Sequence, residues 1–177
     1  MSIMSIYLTN LGKYNEGYLV GEWVNLPIEE DELNKVFQRI CINERYEEWF
    51  ISDYEAKLSG ISNAIGEYSN FNALNELAEK LDNLCEWEKE KLQAILEAES
   101  ISCLTDICEA IDSLDNWDLL SDVKTNEDLG YYYAEECCCI DIPKNIKNYF
   151  DYESFGRDIH LEGNGTFTSC GYLIDNR

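Results

Sequence analysis

Thirty-six Asp and Glu stand against 13 Lys and Arg, a formal charge of −23 on 177 residues. Any fold of this chain must be built against that excess, because like charges crowded on one surface destabilise the compact state. Solubility alone does not call for it, since a net charge of about 2–8 suffices for a small domain. The excess does not sit in a tail. Residues 1–60 carry 11 acids and 5 bases, residues 61–122 carry 15 and 3, and residues 123–177 carry 10 and 5. Hydrophobic residues make up 45% and aromatics 12%, so the acids are interleaved with enough apolar mass to build cores, unlike an acidic disordered tail. The charge is displayed on folded structure. A strongly cationic partner, a metal-rich site or adaptation to high salt could each account for it.

The segment Met1–Tyr7 has neither the basic stretch nor the apolar stretch of a signal peptide, and no apolar run approaches the ~20 residues of a membrane span. The expected compartment is the cytoplasm, where the eight cysteines are reduced thiols. Cys137, Cys138 and Cys139 are consecutive, which suits neither paired disulfides nor the Cys-x2-Cys spacing of structural zinc. The cysteines are expected to serve as small buried hydrophobes.

Along the chain, Ser5–Leu8 reads as a strand entering a turn over Asn10–Gly17, and Tyr18–Leu26 as a second strand stopped by Pro27. Glu29, Glu30, Asp31 and Glu32 then favour the first turn of a helix running to about Ile40. A third strand is expected near Glu47–Tyr54. The unit so defined is a small antiparallel sheet with one helix. Phe71, Leu74, Leu77, Ala78, Leu81, Leu84 and Cys85 recur at helical spacing, with Glu76, Glu79, Asp82 and Glu86 on another face. At 1.5 Å per residue these acids lie roughly 4.5–6 Å apart along the axis, of similar order to the ~3.4 Å between phosphates of one DNA strand.

A second helix is expected over Glu86–Ala98 with Trp87, Leu92, Ile95 and Leu96 inside, and a third from about Ile101. Asp106, Glu109, Asp112, Asp115 and Asp118 step by three, which drifts about 60° per step around a helix. A break near Ser113–Asn116, followed by a new turn over Trp117–Leu120, resolves the drift. Asn126–Cys138 reads as a helix in which Tyr131, Tyr132 and Tyr133 cannot all face inward. Pro143 is placed in the first turn of another helix carrying Ile146, Tyr149 and Phe150. Thr166–Thr168 and Tyr172–Ile174 alternate as short strands.

Several kinds of chemistry have no motif here. There is no Gly-x4-Gly-Lys-Ser/Thr loop and no His-Glu-x2-His. The single histidine, His160, has no local catalytic company, and Asp112–Asn116 lacks the glycine and terminal Glu of a calcium loop. No enzyme activity, cofactor or metal is expected. A nucleic-acid ligand is disfavoured because −23 repels phosphate.

Tyr7–Gly17, Gly21–Pro27, Tyr46–Glu55, Leu74–Leu77 and Ile142–Asp158 together resemble the ArdA family of antirestriction proteins, in consistent order over most of the chain. The resemblance implies an α+β protomer, elongated and made of three small domains: a small α/β domain (1–60), an acidic helical domain (61–122) and a mixed α/β dimerisation domain (123–177). It implies a curved homodimer, encoded on a conjugative plasmid or transposon, that mimics bent B-form DNA in the DNA-binding groove of a type I restriction-modification enzyme. The acids expected on the mimic surface are Glu67, Glu76, Glu79, Asp82, Glu86, Glu90, Glu97, Asp106, Glu109, Asp112, Asp115, Asp118 and Asp122. The antirestriction motif near the dimer contact maps to Cys139, Ile140, Asp141, Ile142, Pro143, Ile146, Tyr149, Phe150 and Asp151. Other classes that could hold such a charge are an acidic adaptor for another cationic DNA-binding protein, a halophilic protein and a divalent-metal enzyme.

Overall fold

A computed structural model of the chain describes residues 3–101 and 103–177. The described residues form an α+β structure with two three-stranded antiparallel sheets. Two compact units emerge, Met1–Lys89 with Ser100–Ile111, and Glu90–Glu99 with Asp112–Arg177.

In the first unit the central strand is β1 (Met4–Asn10), flanked by β2 (Gly21–Leu26) and β3 (Trp49–Ala56). Its period-2 pattern buries Met4, Ile6 and Leu8 on one face, where Ile6 lies opposite Val24. A bulge opposite Tyr7 and Leu8 sets Ser52 of β3 out of register, and its hydroxyl lies 2.6 Å from that of the buried Thr9. The turn expected after β1 is instead a one-turn helix, α1 (Leu11–Asn15). Asn10 makes the difference. Its side-chain oxygen accepts from the Lys13 amide at 2.9 Å and its amide donates to the carbonyls of Ile40 and Cys41. Strand β2 begins three residues later than expected, at Gly21.

Helix α2 (Glu30–Arg39) carries three acids in its first turn, as read from the sequence. Helix α3 (Phe71–Asn83) is capped by Asn70 and buries Leu74, Leu77, Ala78 and Leu81. It is tied to the end of β2 by Asn75, which accepts from the Ile28 amide at 2.8 Å. The rings of Trp49 and Phe71 meet edge to face at 6.0 Å. Helix α4 (Glu86–Glu99) starts with a Cys85–Glu88 capping box. Leu92, Ile95 and Leu96 are buried as expected, but Trp87 in its first turn is 58% exposed. Helix α5 (Leu104–Asp112) begins later than the expected Ile101.

The second unit centres on β6 (Gly171–Asp175), with β4 (Trp117–Leu120) and β5 (Gly165–Thr168) on either side. The helical turn expected over Trp117–Leu120 is therefore a strand. Its pairing partner lies more than 50 residues away, with Leu120 opposite Tyr172, a contact no local pattern announces. The carbonyls of Leu114 and Trp117, around the start of that strand, accept from the buried Lys91 ammonium of α4 at 3.2 and 2.7 Å.

Helix α6 (Asn126–Tyr131) continues as a π-helical turn over Tyr132–Glu136, so the expected long helix forms with a widened end. Tyr131 is the exposed ring of the three, at 49%. Cys138 stops the helix with φ of 52°, a left-handed conformation that usually falls to glycine. No α-helix follows Pro143, which instead opens a turn closed by the Ile146 amide, before a 3-10 turn at Lys147–Tyr149. The α-helix of this region is α7 (Tyr152–Glu162), because Asp151 accepts from the amide and hydroxyl of Ser154 and so caps a start there.

Helices α6 and α7 meet backbone to backbone. A Cβ on Gly156 would stand 1.8 Å from the Asn126 carbonyl oxygen, and one on Gly130 would stand 1.9 Å from that of Tyr152. The core beneath is Val123, Leu129 and Tyr172 with half-buried Tyr132, Tyr133, Ile159 and Phe167 around it. His160 belongs to this cluster, its ring 4.9 Å from Phe167 and its Nδ1 3.3 Å from the Tyr172 hydroxyl. Among the described residues no helix is long and apolar enough to cross a membrane.

Candidate functional site

The charge divides almost evenly between the units. The first holds 19 acids and 7 bases, a net of −12, and the second 17 and 6, a net of −11. All thirteen acids expected on the mimic surface are exposed. Glu67, Glu76, Glu79, Asp82, Glu86, Asp106 and Glu109 lie in the first unit, and Glu90, Glu97, Asp112, Asp115, Asp118 and Asp122 in the second. The helices set their spacing. Glu86, Glu90 and Glu97 stand four and seven residues apart on α4, which keeps them on one face. Glu76, Glu79 and Asp82 step by three along α3, away from its buried stripe.

Several cations are drawn into the fold. Arg39 makes two 2.8 Å hydrogen bonds to the carboxylate of Glu22. Lys13 donates to Glu16 and to the Tyr46 hydroxyl, its ammonium 4.4 Å from the Tyr46 ring. Lys91 is buried against two carbonyls, and Arg177 lies over the Trp117 ring while it pairs with Asp175 and Glu99. The guanidinium of Arg39 holds the Glu22 carboxyl below its usual range, and the Arg177 side chain does the same for Asp175. The Glu22–Arg39 pair was not legible in the sequence, because its members lie 17 residues apart on different elements.

Some of the thirteen candidates also have structural work. Both carboxylate oxygens of Glu97 accept from the Ser169 amide at 3.0–3.1 Å, and one accepts from its hydroxyl at 2.7 Å. Asp118 accepts from the Asn176 side chain at 2.8 Å. Glu86 forms an exposed ion pair with Lys89 on the next turn.

The motif residues fall into two sets. Cys139, Asp141, Pro143, Ile146 and Tyr149 are exposed, Tyr149 by 87%, while Ile140 and Ile142 are half-buried. Phe150 and Asp151 hold the fold instead: Phe150 packs on Tyr152 and Phe155 at 4.9 and 5.6 Å, and Asp151 caps α7. Sequence reasoning missed what fastens this segment. Glu135, in the π-helical turn, takes the Tyr152 hydroxyl at 2.5 Å on one oxygen and the Lys147 ammonium at 2.5 Å on the other. Lys147 first and Tyr152 second hold the Glu135 carboxyl below its usual range, and the bond to that carboxylate pushes Tyr152 up to about 12.

The cysteines are not core residues. Cys41, Cys85, Cys103, Cys137, Cys138 and Cys139 are exposed, and Cys108 and Cys170 half-buried. Cysteine reads as apolar in a pattern, but the six exposed ones occupy caps and helix ends, where the backbone turns toward solvent. Among the described residues no group of three or more His, Cys, Asp or Glu is arranged to hold a metal ion.

No curated protein matches the chain at a significant level. The family model described as antirestriction protein (ArdA) matches residues 6–174. With nearly its whole length covered by that match, the chain belongs to the ArdA family of antirestriction proteins.

Proposed function

We infer that this protein blocks a type I restriction-modification enzyme by occupying its DNA-binding groove as a mimic of bent B-form DNA, without catalysing a reaction. The observation that carries this reading is the display of charge: thirteen exposed acids on α3, α4, α5, strand β4 and the segments beside them, with several cations committed to buried or paired positions. Carboxylates then take the Lys and Arg that ordinarily contact phosphates, and long-range attraction speeds the encounter.

The working form is a homodimer joined through the exposed part of the 139–149 segment, where Ile146 and Tyr149 offer apolar surface to a second copy. Two chains carry 2 × −23, or −46, the charge of roughly 80 Å of duplex at one charge per ~1.7 Å. The proposal includes three small domains per protomer and a cytoplasmic site of action.

Binding of the purified protein to the restriction enzyme is expected to weaken by about tenfold or more as NaCl rises from about 50 to about 500 mM. An affinity that stays level over that range sinks the mimic. Duplex DNA should displace the protein competitively. Failure to compete, with binding retained, would favour an acidic adaptor for a different cationic protein.

A further inference from the structure

A cavity of about 480 Å³ lies within the second unit, between the connection from β4 to α6 and one face of α6. That is the size of a small-ligand site. Its apolar wall includes Leu119, Leu120 and Val123, the rings of Tyr131 and Tyr132 line it, and no lysine or arginine does. Four carboxylates complete the lining, and they are not equivalent. Asp128 is committed to the helix cap, where it accepts from the amides of Lys124 and Thr125 and from the Thr125 hydroxyl. Asp122, Glu127 and Glu136 are exposed and make no hydrogen bond or ion pair among the described residues.

The π-helical turn places the last of these. Glu127 precedes Tyr131 by one α-turn, and Glu136 follows it by one i→i+5 turn. In a regular α-helix the five-residue step would carry Glu136 about 140° away from Tyr131. The widened turn brings an aromatic face and two unpaired carboxylates to one cavity.

We propose that this cavity binds a guanidinium group, with Tyr131 taking its planar face and Glu127 and Glu136 its N–H edges. A guanidinium is weakly hydrated, stacks on aromatic rings and presents a fork of donors to carboxylates. A hard metal ion needs converging oxygens at about 2.0–2.6 Å, and the described acids form no such group. The guanidinium can come from an arginine of the restriction enzyme, in which case the inference rests on the function proposed above, or from a free small molecule.

The test uses the full-length protein and arginine methyl ester as probe, followed by amide chemical shifts, with the uncharged citrulline ester as control. Saturable one-to-one shifts confined to residues 119–136, absent with the control, are expected. Glu127→Gln with Glu136→Gln should weaken the probe about tenfold, and Tyr131→Leu should weaken it while leaving the spectrum of the first unit in place. Non-saturating shifts spread over both units, or a double variant that binds the probe as the parent does, would overturn the site.

Inhibition of restriction, measured beside a variant of equal charge (Glu44→Gln with Glu55→Gln), separates the sources. A larger loss for the cavity variant assigns the site to a partner arginine, and an equal loss assigns it to a free cation. Probe binding by a protein that inhibits no restriction enzyme would refute the proposed function and leave the site standing.

Discussion

The two units carry nearly equal charge, −12 and −11, each on a three-stranded sheet, yet they are held together by different means. In the first, a seven-residue central strand buries Met4, Ile6 and Leu8, and α2 and α3 add Val36, Leu74, Leu77 and Leu81. Apolar area does the stabilising there, at about 25 cal/mol per Å² removed from water. In the second, the central strand has five residues, and Tyr132, Tyr133, Phe167 and Tyr172 share the core around it with Val123 and Leu129. Backbone contact at Gly130 and Gly156, the buried Lys91 and the Glu97–Ser169 bonds add to the aliphatic burial of Leu92, Ile95, Leu96 and Leu173. A strongly charged unit with a modest core depends on a few close contacts, and those contacts tolerate little change.

That contrast can be broken most directly at Gly156. Gly156→Ala forces a methyl group onto the Asn126 carbonyl, and a loss of about 3 kcal/mol or more is expected in urea unfolding. Retention of the parent's midpoint would show that the helix contact is not critical. Next comes Lys91→Met, which leaves the carbonyls of Leu114 and Trp117 without that donor. About 2 kcal/mol should be lost by the same measurement. An unchanged midpoint would mean that apolar burial suffices in both units.

The fastening of the motif segment gives a pH signature. Tyr152 and Lys147 have raised folded-state pKa values, so their contribution is complete below about pH 10 and is lost as pH climbs through the raised values. Glu135 is lowered, so its contribution is complete above the ordinary carboxyl range and is lost as pH falls. Ultraviolet titration should therefore show a phenol ionising near 12 that disappears in Tyr152→Phe. The smallest effect is expected at Cys138, whose φ of 52° is relieved by Cys138→Gly with a gain of up to about 1 kcal/mol.

The elements legible in the sequence are those with a local pattern. Helices α2, α3 and α4 announce themselves by apolar stripes and acidic or capping starts, and β1, β2, β3, β5 and β6 by alternation between turn residues. What escaped depends on distant partners. Strand β4 exists because β6 pairs with it, and α7 contains Gly156, a poor helix former, because only glycine fits there against Asn126 and Gly130. The Asp151–Ser154 cap was a usable signal for α7. At the candidate surface, composition and spacing marked acids that prove exposed. They could not separate those with internal duties: Glu97 reaches Ser169 across 72 positions of sequence.

The exposed cysteines acquire a different meaning on such a surface. Six thiols face solvent on a molecule of charge −23. Two copies that collide at random, away from a specific mating face, are pushed apart before sulfur can meet sulfur, and an anionic disulfide such as oxidised glutathione is repelled in the same way. The repulsion is strongest at low ionic strength and fades as salt shortens its range. In air, where dissolved oxygen takes up the electrons, handling in concentrated salt therefore exposes this protein to disulfide cross-linking from which its own field otherwise shields it.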